Sequence, residues 1–544
     1  MKTEYDVIVV GAGSAGCAVA YRVARESNLE VLLLEAGSAD KNMMMHVPMG
    51  FAFLLKPHKN NWSYQTELEP YLNNRVIDLP RGKVLGGCSS INGMVYIRGQ
   101  KEDFDRWAAE GNKGWAYADV LPYFMRSQHN EAGADAYQGT GGPLWVSEIV
   151  DEFPIHQAFI DAAVQAGHSF NAQVNGATQA GVSWFPRTIK KGKRYSSAQA
   201  FLGAGRALSN LTVLTHAQVT QVQIEQGVAV AVQAEVKGQS ILFSARQEIV
   251  LSGGAINTPQ LLELSGVGQQ ARLRALGIQV HKDLPGVGEN LQDHWNSYIK
   301  QKTQGVKTYY SEGRGLALLR NIARYLLGKK GFLGDSAATI GVFYKALPQA
   351  SSPDAQIHFA PAASEYDAQG NLRPIDAITI SACQLRPSSR GSVHINSVAA
   401  DAKPSIRLNY LATELDQQVA VAAFKKARKI LLQPALQGML QAELAPGADV
   451  QTGEQILEYI KSTGEPVHHL AGTCKMGSDA MAVVDECLRV RGIQRLRIAD
   501  ASIMPSLVSG NTHAACVMIA EKCADFILRS SLIELVSPTR PFGR

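Results

Sequence analysis

The first hydrophobic run, Asp6 to Val10, stops at Gly-Ala-Gly, and apolar positions at helical spacing then continue through Arg25 before a second run, Glu30 to Leu34, ends in Glu35. Short apolar runs bounded by glycine predict buried strands, and the stretch between them predicts a helix, so the chain opens with a strand-helix-strand unit. A similar pattern lies at 248–268. There EIVLS predicts a strand, GGA a turn, and a helix starts near Asn257 with Pro259 in its first turn and stops at Ser265-Gly266. Near the C-terminus, LRIADAS predicts a buried strand ending in an acid, followed by a loop and an apolar helix from Ala514 to Ile527. Three distant segments are therefore expected in one sheet.

The texture changes over 151–190 and 296–465, where strands such as QIHFAPA and ITISACQL alternate and amphipathic helices such as 414–431 appear. These predict a second, substrate-facing domain inserted into the first. The stretch 316–330, LALLRNIARYLLGKK, is basic and amphipathic. It either packs on that second domain or touches a membrane surface.

Composition narrows the function. Over 544 residues, 53 basic and 48 acidic side chains leave a net charge of +5, too dilute for phosphate-backbone binding, so nucleic acid is not an expected partner. The seven cysteines lack repeated CxxC spacing, which argues against a zinc site or a disulfide scaffold and for a reducing compartment. No metal is expected. Lys2 followed by VIVVGAGSAGCAVA superficially resembles a secretory signal, but its glycines have another use, and no uninterrupted apolar run reaches about 18 residues. The expectation is a cytoplasmic protein, soluble or peripheral at the inner membrane and not secreted.

Gly11, Gly13 and Gly16 follow a predicted strand and open a predicted helix, and Glu35 comes 19 residues after Gly16. In such a turn the first glycine allows the bend, the second lets backbone approach a pyrophosphate, and the third lets helix pack on strand. The helix N-terminus then meets the diphosphate, and Glu35 can accept from ribose hydroxyls. This signature alone does not separate FAD from NAD.

Longer segments resemble the glucose-methanol-choline (GMC) family of flavoprotein oxidoreductases. Arg81-Gly-Lys-Val-Leu-Gly-Gly-Cys-Ser-Ser-Ile-Asn-Gly93 is similar to the family's first signature, with a departure at Cys88, and Gly254 to Gly268 is similar to the second. Further similarity lies at Gly286 to His294, His469 to Gly477, and Asp500 to Pro505 running into Gly510-Asn-Thr-His513. The resemblance covers nearly the whole chain. It implies an α/β fold: a Rossmann-type FAD-binding domain (1–150, 191–295 and 466–535) interleaved with an α+β substrate-binding domain with an antiparallel sheet (151–190 and 296–465), and a tail at 536–544. The implied FAD-binding set is Gly11, Gly13, Ser14, Gly16, Glu35, Ala36, Val84, Gly86, Asn92, Gly93, Met94, Val95, Val219, Asp500, Ala501, Asn511 and Thr512. Ile91 stands where some members carry a histidine that binds FAD covalently, so non-covalent FAD is expected.

By the same resemblance, His469 and His513 occupy the paired catalytic positions. The implied reaction is oxidation of a primary alcohol to an aldehyde: hydride passes to flavin N5, His469 takes the hydroxyl proton, and His513 holds the substrate oxygen. A positioned base is required because an alcohol hydroxyl does not ionise near neutral pH, and histidine suits the task. His468 competes for the role, but the Gly-Thr-x-x-Met-Gly register favours His469; Thr473 and Met476 read as structural. His358 either lines the cavity or packs within its strand. Choline-specific members carry glutamate at the position of Asn296; the amide favours a neutral alcohol, with Trp295 or Tyr298 the local aromatic substitutes for a cation cage. A choline dehydrogenase and a non-redox, FAD-containing lyase are the alternatives. The electron acceptor, a quinone or oxygen, stays open.

Overall fold

The computed structural model describes residues 2–148, 152–205, 207–328, 330–336, 338–366 and 372–536. Its first sheet has a parallel centre, with spatial order Leu211–Thr215, Val31–Glu35, Glu4–Val10 and Gln239–Leu251. Val7 to Val10 and Val31 to Leu34 are buried apolar runs, as strands covered on both faces require. The long strand Gln239–Leu251 has two neighbours on one edge. Its first half pairs antiparallel with Val228–Val236, which in turn pairs with Ala217–Glu225, and its last three residues pair in parallel with Leu496–Ile498. The helix Gly16–Glu26 lies against the C-terminal helix His513–Val536, and the buried Arg22 is paired with Glu521 at 2.8 Å.

Two helices differ from expectation. The C-terminal one extends well beyond Ile527. The other spans Gly254–Leu264, so Pro259 lies inside it rather than in its first turn. A proline there leaves the carbonyl four residues back without its helical donor. That carbonyl belongs to Ala255, and the Thr473 hydroxyl donates to it at 2.7 Å. The tail expected at 536–544 lies, from 537 onward, outside the described residues, as does the boundary at 150–151.

The second sheet is antiparallel throughout, in the order Leu440–Ala445, Trp295–Thr303, Ala377–Gln384, Ala355–Ala360, Ile340–Tyr344 and Gly181–Trp184, with Glu465–Pro466 also paired to Trp295–Thr303. Side chains alternate across it. Trp295, Ile299, Ile357, Phe359, Ile378 and Ile380 join a buried apolar cluster that also takes in the helices Pro154–Gln165 and Glu414–Leu431. Asn296, Tyr298, His358, Thr379 and Ser381 occupy the alternate positions and line a cavity. Trp295 is thus turned away from that cavity and does not substitute for a cation cage.

Candidate active site

The cavity, about 2310 Å³, runs from the carboxyl ends of the parallel strands to the polar face of the antiparallel sheet. In open α/β sheets ligands bind at the carboxyl ends of strands. Gly11 has φ +98°, and a Cβ there would lie 2.6 Å from the Ser252 carbonyl oxygen; a Cβ on Gly16 would lie 1.9 Å from that of Gly11. The protein itself requires both glycines. Gly13 is different: its added Cβ would meet only the Ser252 oxygen at 3.9 Å and otherwise face open cavity. Glu35 pins the turn, its carboxylate accepting from Ala12 N at 3.0 Å and Gly37 N at 2.8 Å. Burial pushes its pKa up to about 7.

Along the middle of the cavity, Asn92 spends its amide oxygen within the protein, accepting from Met94 N at 3.0 Å and from Arg194 at 2.8 Å. Its NH₂ group is left for a ligand. Arg194, which sequence reasoning missed, is buried; it also donates to the carbonyls of Met45 and Ser89 and makes no ion pair among the described residues. Desolvation pulls its pKa down to about 9. Asp500 is similarly committed: its carboxylate accepts from Ser502 N, Gly254 N and Thr258 Oγ1 at 2.7 to 2.8 Å. It ties the strand Leu496–Ile498 to the start of the helix Gly254–Leu264.

Ser14, Ala36, Gly93, Met94, Val95, Val219, Ala501, Asn511 and Thr512 also line the cavity, whereas Gly16, Val84 and Gly86 do not. Gly16 lies behind the turn, Val84 clusters with Met45, Leu54 and Ile91, and Gly86 N donates to Ala12 O at 2.7 Å.

The two candidate catalytic histidines reach the cavity from different directions. His294 and His469 stand just before and just after paired strand ends, and one carboxylate oxygen of Asp293 accepts from both backbones, at 2.9 and 2.6 Å. Tyr410 donates to the other oxygen at 2.7 Å. His294 Nε2 is 3.0 Å from the carbonyl of Leu385, and its Nδ1 is 2.9 Å from Nδ1 of His469. The carbonyl can only accept, so the proton of a neutral His294 sits on Nε2 and its Nδ1 accepts from His469. That assignment leaves His469 Nε2 unprotonated, with its lone pair toward Asn511 Nδ2 at 3.1 Å. His294 was not singled out in the sequence, although it belongs to the Gln-Asp-His run.

His513 opens the C-terminal helix with Nδ1 3.1 Å from Ser14 Oγ, and its buried Nε2 has no protein partner. Burial holds the imidazoles neutral: His294 and His513 fall to about 4, and His469 falls well below the usual histidine value, helped by its imidazole neighbours. His468 also lines the cavity, but with φ +65° and no side-chain bond to the other two histidines.

Among the roof residues, His358 lines the cavity with its Nδ1 unpartnered, as is the Asn296 amide oxygen. Directly across the sheet from Asn296 is Glu465, which shares the cavity wall with Tyr298; the two side chains approach to 3.4 Å. A carboxylate thus stands on the neighbouring strand opposite position 296. Only the pairing register reveals it.

Bare backbone at Gly13, the free NH₂ of Asn92, and the unpartnered His513 Nε2 and Asn511 Oδ1 fit an elongated dinucleotide whose reactive end lies by the histidines. Among the described residues no His, Cys, Asp or Glu cluster forms a metal site, and no helix is long and apolar enough to cross a membrane.

Comparison with known proteins agrees with this geometry. The chain is 40% identical over 532 residues to an alcohol dehydrogenase [acceptor] of Pseudomonas putida, covering 96% of each protein. It is 42% identical over 538 residues to the mitochondrial choline dehydrogenase of Mus musculus, covering 97% of this chain and 90% of the relative. The crystal structure of pyridoxine 4-oxidase from Mesorbium loti superposes with a TM-score of 0.86 at 30% identity, covering 96% and 98% of the two chains. GMC oxidoreductase sequence signatures match residues 5–296 and again 387–520, and the chain belongs to the GMC oxidoreductase family.

Proposed function

We propose that the protein oxidises a primary alcohol to an aldehyde, with FAD held non-covalently between the glycine turn and the histidine pair. When bound, FAD supplies the two-electron acceptor, taking hydride at its N5. Gly11 to Ser14, Glu35, Asn92 and the backbone around Ala501 and Asn511 would hold it. Ile91 at the cavity wall has no nucleophilic atom for a covalent link. His469 is the base. The observation that carries this reading is the chain from the Leu385 carbonyl through His294, which leaves the His469 Nε2 lone pair on the cavity side. An alcohol hydroxyl replaces Asn511 as the donor to that nitrogen and passes it the proton as the C–H bond breaks. With Ser14 donating to its Nδ1, His513 presents Nε2–H to the substrate oxygen and fixes its approach.

The relative named alcohol dehydrogenase [acceptor] supports this substrate class. A second reading, oxidation of choline, is favoured by Glu465 opposite Asn296 beside Tyr298, a carboxylate and an aromatic ring that can receive a quaternary ammonium. The electron acceptor is either a quinone or oxygen. Anaerobic mixing of FAD-loaded protein with choline, short and long primary alcohols, aromatic alcohols and sugars tests both readings through flavin bleaching. Primary alcohols are expected to bleach the wild type, and H469A to do so about 10²- to 10⁴-fold more slowly. An unchanged rate in H469A refutes the assignment of the base, and bleaching by choline alone selects the second reading.

A further inference from the structure

The helix Gly315–Gly328 is turned inside out. Its buried positions are Asn321 and Tyr325, whereas Leu316, Leu319, Leu326 and Leu327 are 84%, 63%, 67% and 91% exposed. Asn321 donates inward to the backbone oxygen and the carboxylate of Glu312. A surface helix that only packs on its own domain turns leucine inward and amide outward. At 3.6 residues per turn, Leu316 and Leu327 form the outward crest, with Leu319 and Leu326 on one flank and Arg320 and Arg324 on the other.

Exposed apolar side chains also lie elsewhere along the cavity. Met43 and Phe53, 71% and 65% exposed, line the same cavity as Leu326, so exposed apolar side chains border its mouth. Contiguous exposed apolar surface marks a docking face. Charge selects the occupant: residues 312–330 contain five basic side chains and one acidic, Glu312, which is buried and paired with Arg320 at 2.6 Å, so the stretch stays net positive. A second copy related by a two-fold axis would place this cationic face against itself, whereas anionic headgroups complement it and a bilayer receives the leucines.

We propose that this face seats the protein on an anionic phospholipid surface, the helix lying in the headgroup plane with its leucines in the acyl boundary. The cavity mouth then opens toward the bilayer, and an apolar alcohol or a lipid-soluble acceptor enters without crossing water. The docking itself is independent of the proposed chemistry.

The test is sedimentation of the full-length, FAD-loaded protein with phosphatidylcholine vesicles, with and without phosphatidylglycerol. Wild type is expected to pellet with the anionic vesicles and to be released by high salt. The double variant Leu316→Glu/Leu327→Glu, altered outside the cavity wall, is expected to partition about tenfold less while keeping its FAD and its rate with a short, water-soluble alcohol. Equal binding of wild type and variant, equal binding to neutral vesicles, or no binding at all overturns the proposal. So does a concentration-dependent doubling of mass that the variant abolishes, since it would identify a second copy as the occupant.

Discussion

Replacing His294 by Leu removes the acceptor for His469 Nδ1–H while leaving the catalytic side chain in place. Three consequences follow from the geometry. The 2.9 Å bond to His469 is lost, the Leu385 carbonyl loses its donor at 3.0 Å, and His469 becomes free to carry its proton on Nε2, where it cannot act as a base. An unsatisfied buried polar group costs about 1–3 kcal/mol, and a tautomer bias of that size removes about 84 to 99% of the competent form. The rate of flavin reduction is therefore expected to fall about 5- to 160-fold. A mispositioned tautomer in a serine-protease triad costs about 10⁴-fold, which bounds the effect from above. The assay is anaerobic stopped-flow reduction by the best alcohol, with FAD content measured in parallel. Nitrogen-15 NMR of the His469 ring supplies a readout that loss of packing alone would not move. His294→Asn, whose Oδ1 takes the place of Nδ1, is expected to recover most of the rate and the original ring signal. If His294→Leu loaded with FAD reduces at the wild-type rate with its His469 signal unaltered, the relay through Leu385 has no role.

Four other outcomes follow. Burial holds His469 well below the usual histidine value, so the neutral base persists as the medium is acidified; kcat/KM should stay level through pH 6.5, and an acid limb centred there would contradict this environment. His156, His294, His358 and His513 are each lowered to about 4. The unfolded chain binds these protons near pH 6.5 and the folded one does not, so these four groups cost stability as pH falls from 6.5 to 4, by up to about 1.4 kcal/mol per pH unit each, against an opposing gain from Glu35 and Asp293, whose raised pKa values let the folded state take up protons first; a thermal midpoint that rises over that interval would refute this. Gly13→Ala and Gly16→Ala should separate by phenotype: the first adds a methyl to open cavity and should fold yet retain little FAD, whereas the second places Cβ 1.9 Å from Gly11 O and should lower the melting temperature even without cofactor. Thr473→Val strips the donor from the Ala255 carbonyl and should cost about 1–3 kcal/mol in chemical denaturation, with Thr473→Ser close to wild type.

Much of this was legible in the sequence where the requirement is local. The glycine turn, its strand and its helix sit within a few residues of one another, so spacing suffices. Alternation in ITISACQL marks a half-polar strand by the same logic. The residues that escaped are those whose partners are set by register or by long loops. His294 meets His469 across 175 positions, Arg194 meets Asn92 across 102, and Thr473 meets Ala255 across 218. Asn296 invited the conclusion that the cavity lacks a carboxylate, because nothing local shows that Glu465 stands opposite. The stretch 316–330 carried the right period, but a period does not say which face turns inward; only the burial of Asn321 and Tyr325 does.

The strand Gln239–Leu251 ends between residues far apart along the sequence, Val10 on one side and Ile498 on the other. During synthesis its last three residues wait with one edge unpaired until Leu496 to Ile498 have left the ribosome. The early hairpins can form by themselves, but the pocket floor closes only when Asp500 arrives to hold Gly254 and Thr258. Such delayed, long-range closure slows folding and prolongs the exposure of apolar strand edges. A nascent chain stalled before that point would therefore be a client for chaperones rather than a carrier of cofactor.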